Sequence, residues 1–209
     1  LIQALLGATD LPTELADDVC ARAEGNPLYV EEFLRMMIDS ARITRVDGQW
    51  LVARALPAMA MPPTLQGIIA ARLDTVPPDV KRILQHGAVI GKRFWTTALA
   101  ALSGGLVDET PLLDAIRRGL IFDCDERGLE GGRSYEFRHS LMRNVAYGGV
   151  PKGERLRLHD TFAGWLEGVA RDRVGEYADT IAYHAEQAFG LARELGSPRA
   201  AALGQRAYA

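Results

Sequence analysis

The stretch LIFDCDERGLEGGRSYEFRHSLMRNVA, residues 120–146, decides the fold class of this chain. Its first three residues predict a short strand, and the three glycines in its middle predict a turn. Tyr135 and Phe137 then alternate with polar residues, as in a half-buried strand. A helix is predicted to begin near His139. The stretch therefore predicts two strands that are joined by a glycine-containing turn and followed by a helix.

Three helices are predicted upstream of this stretch, because Pro77-Pro78 marks a new start and apolar residues then recur at helical spacing. Their predicted bounds are about 78–89, 95–102 and 109–118. Three helices, a strand, a glycine turn and a strand follow one another in the order of a winged-helix domain, in which the turn is the wing. We therefore predict a winged-helix domain over residues 77–150.

Two helices are predicted near the amino terminus. The first ends at Gly25, a residue type that suits the end of a helix. Asn26 and Pro27 suit the start of the second helix, since Asn caps free backbone amides and Pro fits the first turn. Glu31 and Glu32 are expected near the positive end of that helix, where acidic charge is favoured.

A small hairpin is predicted near residues 43–52, because Asp47-Gly48 lies between two short β-prone runs. Residues 53–63 are rich in Ala, Met and Pro and are predicted to be a linker. A further helix follows, with Leu65 and Leu73 on its apolar face. Together these elements predict a helical bundle with one hairpin over residues 1–76.

The chain is predicted to be helical again from about residue 153, where Leu158, Phe162 and Leu166 share one face. Two more Ala-rich helices are predicted over about 176–190 and from 197 to the end. Paired helices with small contact residues are typical of α-solenoids, so residues 151–209 are expected to begin an array of TPR-like repeats. The predicted fold class is therefore mainly α.

Composition excludes several classes of protein. The formal net charge of -3 gives no overall basic signature of a nucleic-acid-binding protein. The two cysteines are far apart and belong to no metal-binding or disulfide pattern, which fits the cytoplasm. No apolar run approaches the roughly 20 residues that span a bilayer, so no membrane association is expected. Because the chain starts without Met inside an apparent helix, we expect it to be a fragment.

Known catalytic motifs are absent from the sequence. It has no G-x-x-x-x-G-K-[ST] loop for nucleotide phosphates and no G-x-S-x-G, H-E-x-x-H or dinucleotide-binding motif. The four histidines are scattered, and no spacing brings Ser, His and Asp together. We therefore expect the chain to have no catalytic activity by itself.

Four segments nevertheless resemble one protein class in the same order. They are AEGNPLYVEEFLRMM (23–37), PPTLQGIIAARLDTVPPDVKRILQHGAVIGKRF (62–94), YEFRHSLMRNVAYGGVPKGERLRLHDTFAGWLE (135–167) and IAYHAEQA (181–188). The class is the signal-transduction ATPases with numerous domains (STAND ATPases), which are related to the AAA+ ATPases. The chain looks most like the lid, winged helix and first repeats of bacterial adenylate cyclase-like and LuxR-type regulators.

The resemblance implies two nucleotide-binding elements. A Gly-x-Pro element of the lid lies against adenine in that class, and Gly25-Asn26-Pro27 matches it. A Met-His-Asp element of the winged helix reaches the ADP phosphate, and His139 matches its histidine, although Arg138 and Ser140 replace the other two residues. The alternatives are purely structural, namely a helix start at Asn26-Pro27 and a packed or capping histidine at 139.

The resemblance also implies ATP or ADP as cofactor, held with Mg²⁺ by an upstream P-loop ATPase domain of the same chain. Further helical repeats downstream, and an unknown inducer or partner protein, would complete the switch. Two other functions stay open, a winged-helix DNA-binding module and an interaction scaffold without a nucleotide. DNA binding is disfavoured, although residues 133–160 form a locally basic stretch, because the helix in the recognition position carries as many acids as bases.

Overall fold

A computed structural model describes residues 13–46, 49–52 and 62–207. The described chain is mainly helical, with ten α-helices, a two-stranded hairpin and a three-stranded antiparallel sheet. It divides into two compact units, Leu1–Pro77 and Pro78–Ala209. No helix among the described residues is long and apolar enough to cross a membrane.

The first unit contains α1 (Thr13–Ala23), α2 (Pro27–Asp39), β1 (Ile43–Val46), β2 (Gln49–Val52) and α3 (Leu65–Thr75). Helix α2 forms its centre because it packs against α1, β1 and α3. The core combines side chains from these elements, among them Val19, Phe33, Leu34, Met37, Ile43 and Ile68.

The second unit begins with α4 (Pro78–Ile90), β3 (Arg93–Trp95), α5 (Thr96–Ser103), α6 (Thr110–Arg117), β4 (Ile121–Arg127) and β5 (Arg133–Phe137). Its sheet has the order β3-β5-β4 and is antiparallel throughout. Phe94 on β3 stacks on Tyr135 of β5, with 5.9 Å between ring centroids, and both rings are fully buried against the helices. The sheet therefore forms one wall of the core of this unit.

The chain continues through α7 (Ser140–Gly148), α8 (Lys152–Ala170), α9 (Val174–Glu194) and α10 (Ala200–Ala207). Helix α8 packs against α4, α5 and α9, and α10 packs on α9. Small residues such as Ala163, Ala185 and Ala188 are buried on these helices, which allows close approach of α8 and α9.

The predicted mainly helical class is confirmed, and most predicted helices lie within a few residues of the observed ones. Strand β3 was not predicted, because three residues are too few to show a period and Trp95 was assigned to the following helix. Glu31 and Glu32 lie beyond the first turn of α2, contrary to expectation. The predicted turn at Asp47-Gly48 and most of the predicted linker lie outside the described residues.

Candidate functional site

The turn at residues 24–27 joins α1 to α2, and it contains a glycine that ends α1 and a residue that caps the start of α2. Gly25 has a φ of +82°, the left-handed conformation that glycine adopts without strain. The amide of Asn26 donates to the carbonyl oxygen of Ala23 at 2.7 Å, and Asn26 Oδ1 accepts from the amide of Leu28 at 3.0 Å. Gly25, Asn26 and Pro27 are all exposed. Helix capping explains the backbone of this turn and leaves the Pro27 ring exposed.

His139 lies between β5 and α7 at the N-cap position of the helix. Its side chain makes no capping hydrogen bond, while its carbonyl oxygen accepts from the amide of Met142 at 3.0 Å. The ring is half-buried, and Nε2 has no hydrogen-bond partner among the described residues. The His139 side chain thus does not cap the helix, which was one structural alternative for it. Gly25, Asn26 and Pro27 belong to the first unit and His139 to the second.

A chain of polar side chains, which the sequence did not indicate, runs through the second unit. Tyr147 Oη lies 2.9 Å from His159 Nε2, and His159 Nδ1 lies 2.8 Å from His184 Nδ1. Both histidines are fully buried, and Phe162 packs edge-on against His184. Three helices, α7, α8 and α9, are therefore joined by two consecutive side-chain hydrogen bonds.

The donor and acceptor in each of these hydrogen bonds can be assigned from the contact between His184 and Ile90. His184 forms a hydrogen bond with the backbone of Ile90, and this bond raises the pKa of His184. Because such a bond favours the protonated ring, His184 must be the donor and the carbonyl oxygen of Ile90 the acceptor. Because Nδ1 faces His159, Nε2–H is the donor to that carbonyl. His184 Nδ1 must then accept from His159 Nδ1–H, and His159 Nε2 accepts from the Tyr147 hydroxyl. With both rings neutral, every ring nitrogen of His159 and His184 has a hydrogen-bond partner.

Burial, with a smaller contribution from nearby positive charges, keeps both rings neutral. Burial lowers the pKa of His159 to about 3, and His184, Arg143 and Arg155 add to this effect. Burial also lowers the pKa of His184 to about 4, again with a contribution from Arg143. Both arginines lie over the ring of Tyr147, at 4.9 Å and 4.7 Å from its centroid.

A cavity of about 470 Å³ lies beside this chain, between the end of α4, the start of α7 and α9. Its polar lining consists of Lys92, Ser140, Arg143, Asn144, Asp179, Thr180, Tyr183 and His184. Arg143 is held in place because its Nε donates to the carbonyl oxygen of Ala88 at 2.7 Å. It has no carboxylate partner among the described residues. A fixed guanidinium therefore lines this cavity, together with Ser140, the residue that follows His139.

Part of the positive charge of the locally basic stretch is compensated by ion pairs. Arg133 pairs with Glu109 at 2.9 Å and also with Asp123. Lys152 pairs with Glu194 at 2.8 Å, outside the stretch itself. These contacts join residues from different elements, so the sequence could not show that the positive charge is compensated.

A buried ion cluster in the first unit was also not predicted. Arg72 on α3 is fully buried and pairs with Glu32 of α2, which is fully buried too. Its Nε donates to Asp39 Oδ2 at 2.9 Å. The available signal was the position of Arg72, which falls on the apolar face of α3 between Ile69 and Leu73. A charged residue on such a face usually has a buried partner.

Comparison with known proteins gives one match. A family model described as a domain of unknown function (DUF8739) matches residues 1–50, which include the turn at Gly25. No curated protein and no solved structure matches the chain. The family match assigns no activity to the matched segment.

Proposed function

We propose that this chain is the regulatory lid and winged-helix segment of an ATP/ADP-switched signalling or transcriptional regulator of the STAND class, without catalytic activity of its own. The observation that carries the proposal is the topology of the second unit. Its elements follow the order helix, strand, two helices, strand, turn and strand, and the third strand lies between the other two. This is the connectivity expected of a winged helix, with residues 128–132 as the wing.

The position of His139 supports its proposed role as a phosphate contact. It follows the third strand of the winged helix directly and opens α7, as the resemblance implies. Its Nε2 has no hydrogen-bond partner among the described residues. A histidine in this position can donate to a phosphate oxygen and gains charge beside it.

The exposed turn of the first unit supports an adenine contact. Pro27 presents a flat apolar surface, and Asn26 already uses its side chain to cap the helix. We assign Gly25 and Asn26 to shaping the turn and Pro27 to contacting the base. The first unit, proposed over residues 1–76, would then act as the lid.

The phosphate-binding loop and its Mg²⁺ would come from a P-loop domain of the same protein, because the 209 residues contain no such loop. Helices α8, α9 and α10 would begin the TPR-like repeats. ADP would stabilise the closed arrangement, and an inducer or partner protein on the repeats would favour the open one. Each ligand must therefore distinguish the two states. We place the protein in the cytoplasm, where the free Cys20 and Cys124 would stay reduced.

The test is the rate of ADP release from the longer protein that includes the P-loop domain. A fluorescent ADP analogue would be loaded and chased with unlabelled ADP. We expect His139→Ala to speed release by about tenfold or more, because a hydrogen bond to a charged group contributes about 1.5–3 kcal/mol. Pro27→Ala should speed release by a smaller factor, since it removes only an apolar contact.

Pro78→Ala is the matched control, because Pro78 is also exposed and also begins a helix, α4, but has no proposed nucleotide role. Its release rate should equal that of the unchanged protein. Unaltered release in both the Pro27 and His139 variants would refute the proposed nucleotide contacts.

A further inference from the structure

A second cavity, of about 480 Å³, lies in a different part of the second unit. It is formed by α4, by the end of α5 with the following loop, and by the start of α8. Its polar lining comprises Arg82, His86, Ser103, Glu154 and Arg157, while Leu102 and Leu106 supply apolar contacts. Its size lies within the range of sites for small molecules.

His86 is the least exposed polar residue of this lining, with 6% of its surface accessible. Its Nδ1 lies 3.2 Å from the hydroxyl oxygen of Ser103. Its Nε2 has no hydrogen-bond partner among the described residues. Burial lowers the pKa of His86. The charges of Arg157 and Arg82 lower this pKa further, whereas the charge of Glu154 raises it. The cavity thus contains a neutral buried ring with one unused nitrogen.

The charges around this ring do not cancel. Arg157 binds Glu154 through two hydrogen bonds of 3.0 Å and 2.5 Å. Arg82 forms no ion pair or hydrogen bond with the described residues. Two guanidinium groups therefore face one carboxylate, and the cavity has an excess positive charge.

We propose that this cavity binds a small molecule that carries a phosphate group. Arg82 would supply the free guanidinium, whose planar donors match phosphate oxygens. His86 Nε2–H would donate to the phosphate from the buried side, and the Ser103 hydroxyl, by donating to His86 Nδ1, would hold the ring in that tautomer. Leu102 and Leu106 would contact the uncharged part of the ligand. This site is separate from the proposed nucleotide contacts and does not depend on them.

The experiment is calorimetric titration of the 209-residue chain with inorganic phosphate and with glycerol 3-phosphate, and glycerol serves as the uncharged comparison. We expect saturable one-site binding of both phosphate compounds and none of glycerol. Arg82→Gln should weaken both affinities by about tenfold or more, because a charged hydrogen bond is lost. Arg82 is exposed, so this variant should fold.

Arg117→Gln is the matched control, since Arg117 is an exposed arginine on α6 that does not line the cavity. It should bind both compounds with unchanged affinity. Absence of saturable phosphate binding, or equal affinities in the Arg82 and Arg117 variants, would overturn the proposal.

Sulfate tests the part assigned to His86, because sulfate does not titrate near neutral pH. An anion beside the ring raises its pKa, so sulfate binding at pH 6.5 should take up protons. Titrations in two buffers of different ionisation enthalpy measure this uptake, which His86→Gln should abolish. Sulfate binding without proton uptake would overturn the role of His86.

Discussion

His159 and His184 face each other through their Nδ1 atoms at 2.8 Å, inside a core formed by α7, α8 and α9. Only one of the two atoms can carry a hydrogen, because two N–H donors would repel each other. Protonation of His184 would set two N–H groups against each other at this contact, and protonation of His159 would force the Tyr147 hydroxyl to accept instead of donate. The neutral state of both rings is therefore a condition for the packing of these helices.

This condition predicts that the second unit loses stability as the pH falls below 6.5. Well above that pH both histidines are neutral in the folded and unfolded states and contribute no pH dependence. Below it the unfolded chain binds protons that the folded chain excludes, because the folded pKa values are about 3 for His159 and about 4 for His184. We expect the free energy of unfolding to fall by about 1.5 kcal/mol for each histidine between pH 6.5 and 5. Urea unfolding followed by circular dichroism measures this slope.

The control is the double variant His159→Gln, His184→Gln. Gln does not titrate, so the slope over this pH range should flatten even if the variant is less stable at pH 7. His86, whose pKa is also lowered by burial, contributes equally to both proteins. An identical slope in the double variant would show that the pair does not control the pH dependence.

At the scale of elements, the connection between β4 and β5 is fixed to the structure beneath it. Thr97 of α5 donates its hydroxyl hydrogen to the carbonyl oxygen of Leu129 at 3.0 Å. Thr96 Oγ1 accepts from the amide of Arg133 at 3.1 Å. Trp95 packs directly on Gly128, where an added Cβ would lie only 1.8 Å from the indole ring. The connection therefore lies against α5.

Gly128→Ala is predicted to destabilise the second unit by about 1–3 kcal/mol, because the methyl group must displace Trp95 from a packed position. The backbone of Gly128 is in an ordinary extended conformation, so lack of space is the cause. Thermal unfolding, together with the fluorescence of the tryptophans, checks the prediction.

Gly148→Ala provides the comparison on a different element. An added Cβ at Gly148 meets no atom within 4 Å, and the residue ends α7 with a helical backbone. This variant should be neutral or more stable by about 0.5–1 kcal/mol. Equal stability of the two variants would contradict the packing argument at Gly128.

The elements differ in how far the sequence predicted them. Helices α2, α4 and α8 were predicted because each is long enough to show an apolar face. Strands β4 and β5 were indicated by their glycine-containing connection. Strand β3 was missed because its pairing with β5 is set by contacts between distant residues, which a local pattern does not contain.

At the scale of the whole molecule, the same limit applies to the candidate sites. The turn at Gly25 is local, so its capping residues could be predicted from neighbouring letters. The pair of His159 and His184 and the pair of Arg72 and Glu32 join residues far apart in sequence. Their partners become visible only when the helices are packed, and so the polar interior could not be predicted.

The distribution of charge over the described surface predicts that the chain does not bind DNA. On the sheet, Lys92 and Arg93 pair with Glu136, at 2.7 Å and 3.3 Å. On α6, the helix in the recognition position, Arg117 and Arg118 both bind Asp114. Binding of a duplex requires several cations that are free to contact phosphates. Fluorescence anisotropy with a labelled duplex should show no saturable binding at a protein concentration of about 10 µM and low salt.

A variant of the same surface tests whether the acidic partners of these arginines prevent DNA binding. Asp114→Asn together with Asp123→Asn would remove the carboxylate that pairs with Arg117 and leave Arg133 with Glu109 as its carboxylate partner. This double variant should gain weak binding that salt abolishes and that has no sequence preference, because released cations contact only phosphates. Salt-sensitive binding by the unchanged chain with preference for one sequence would instead favour a DNA-binding winged helix.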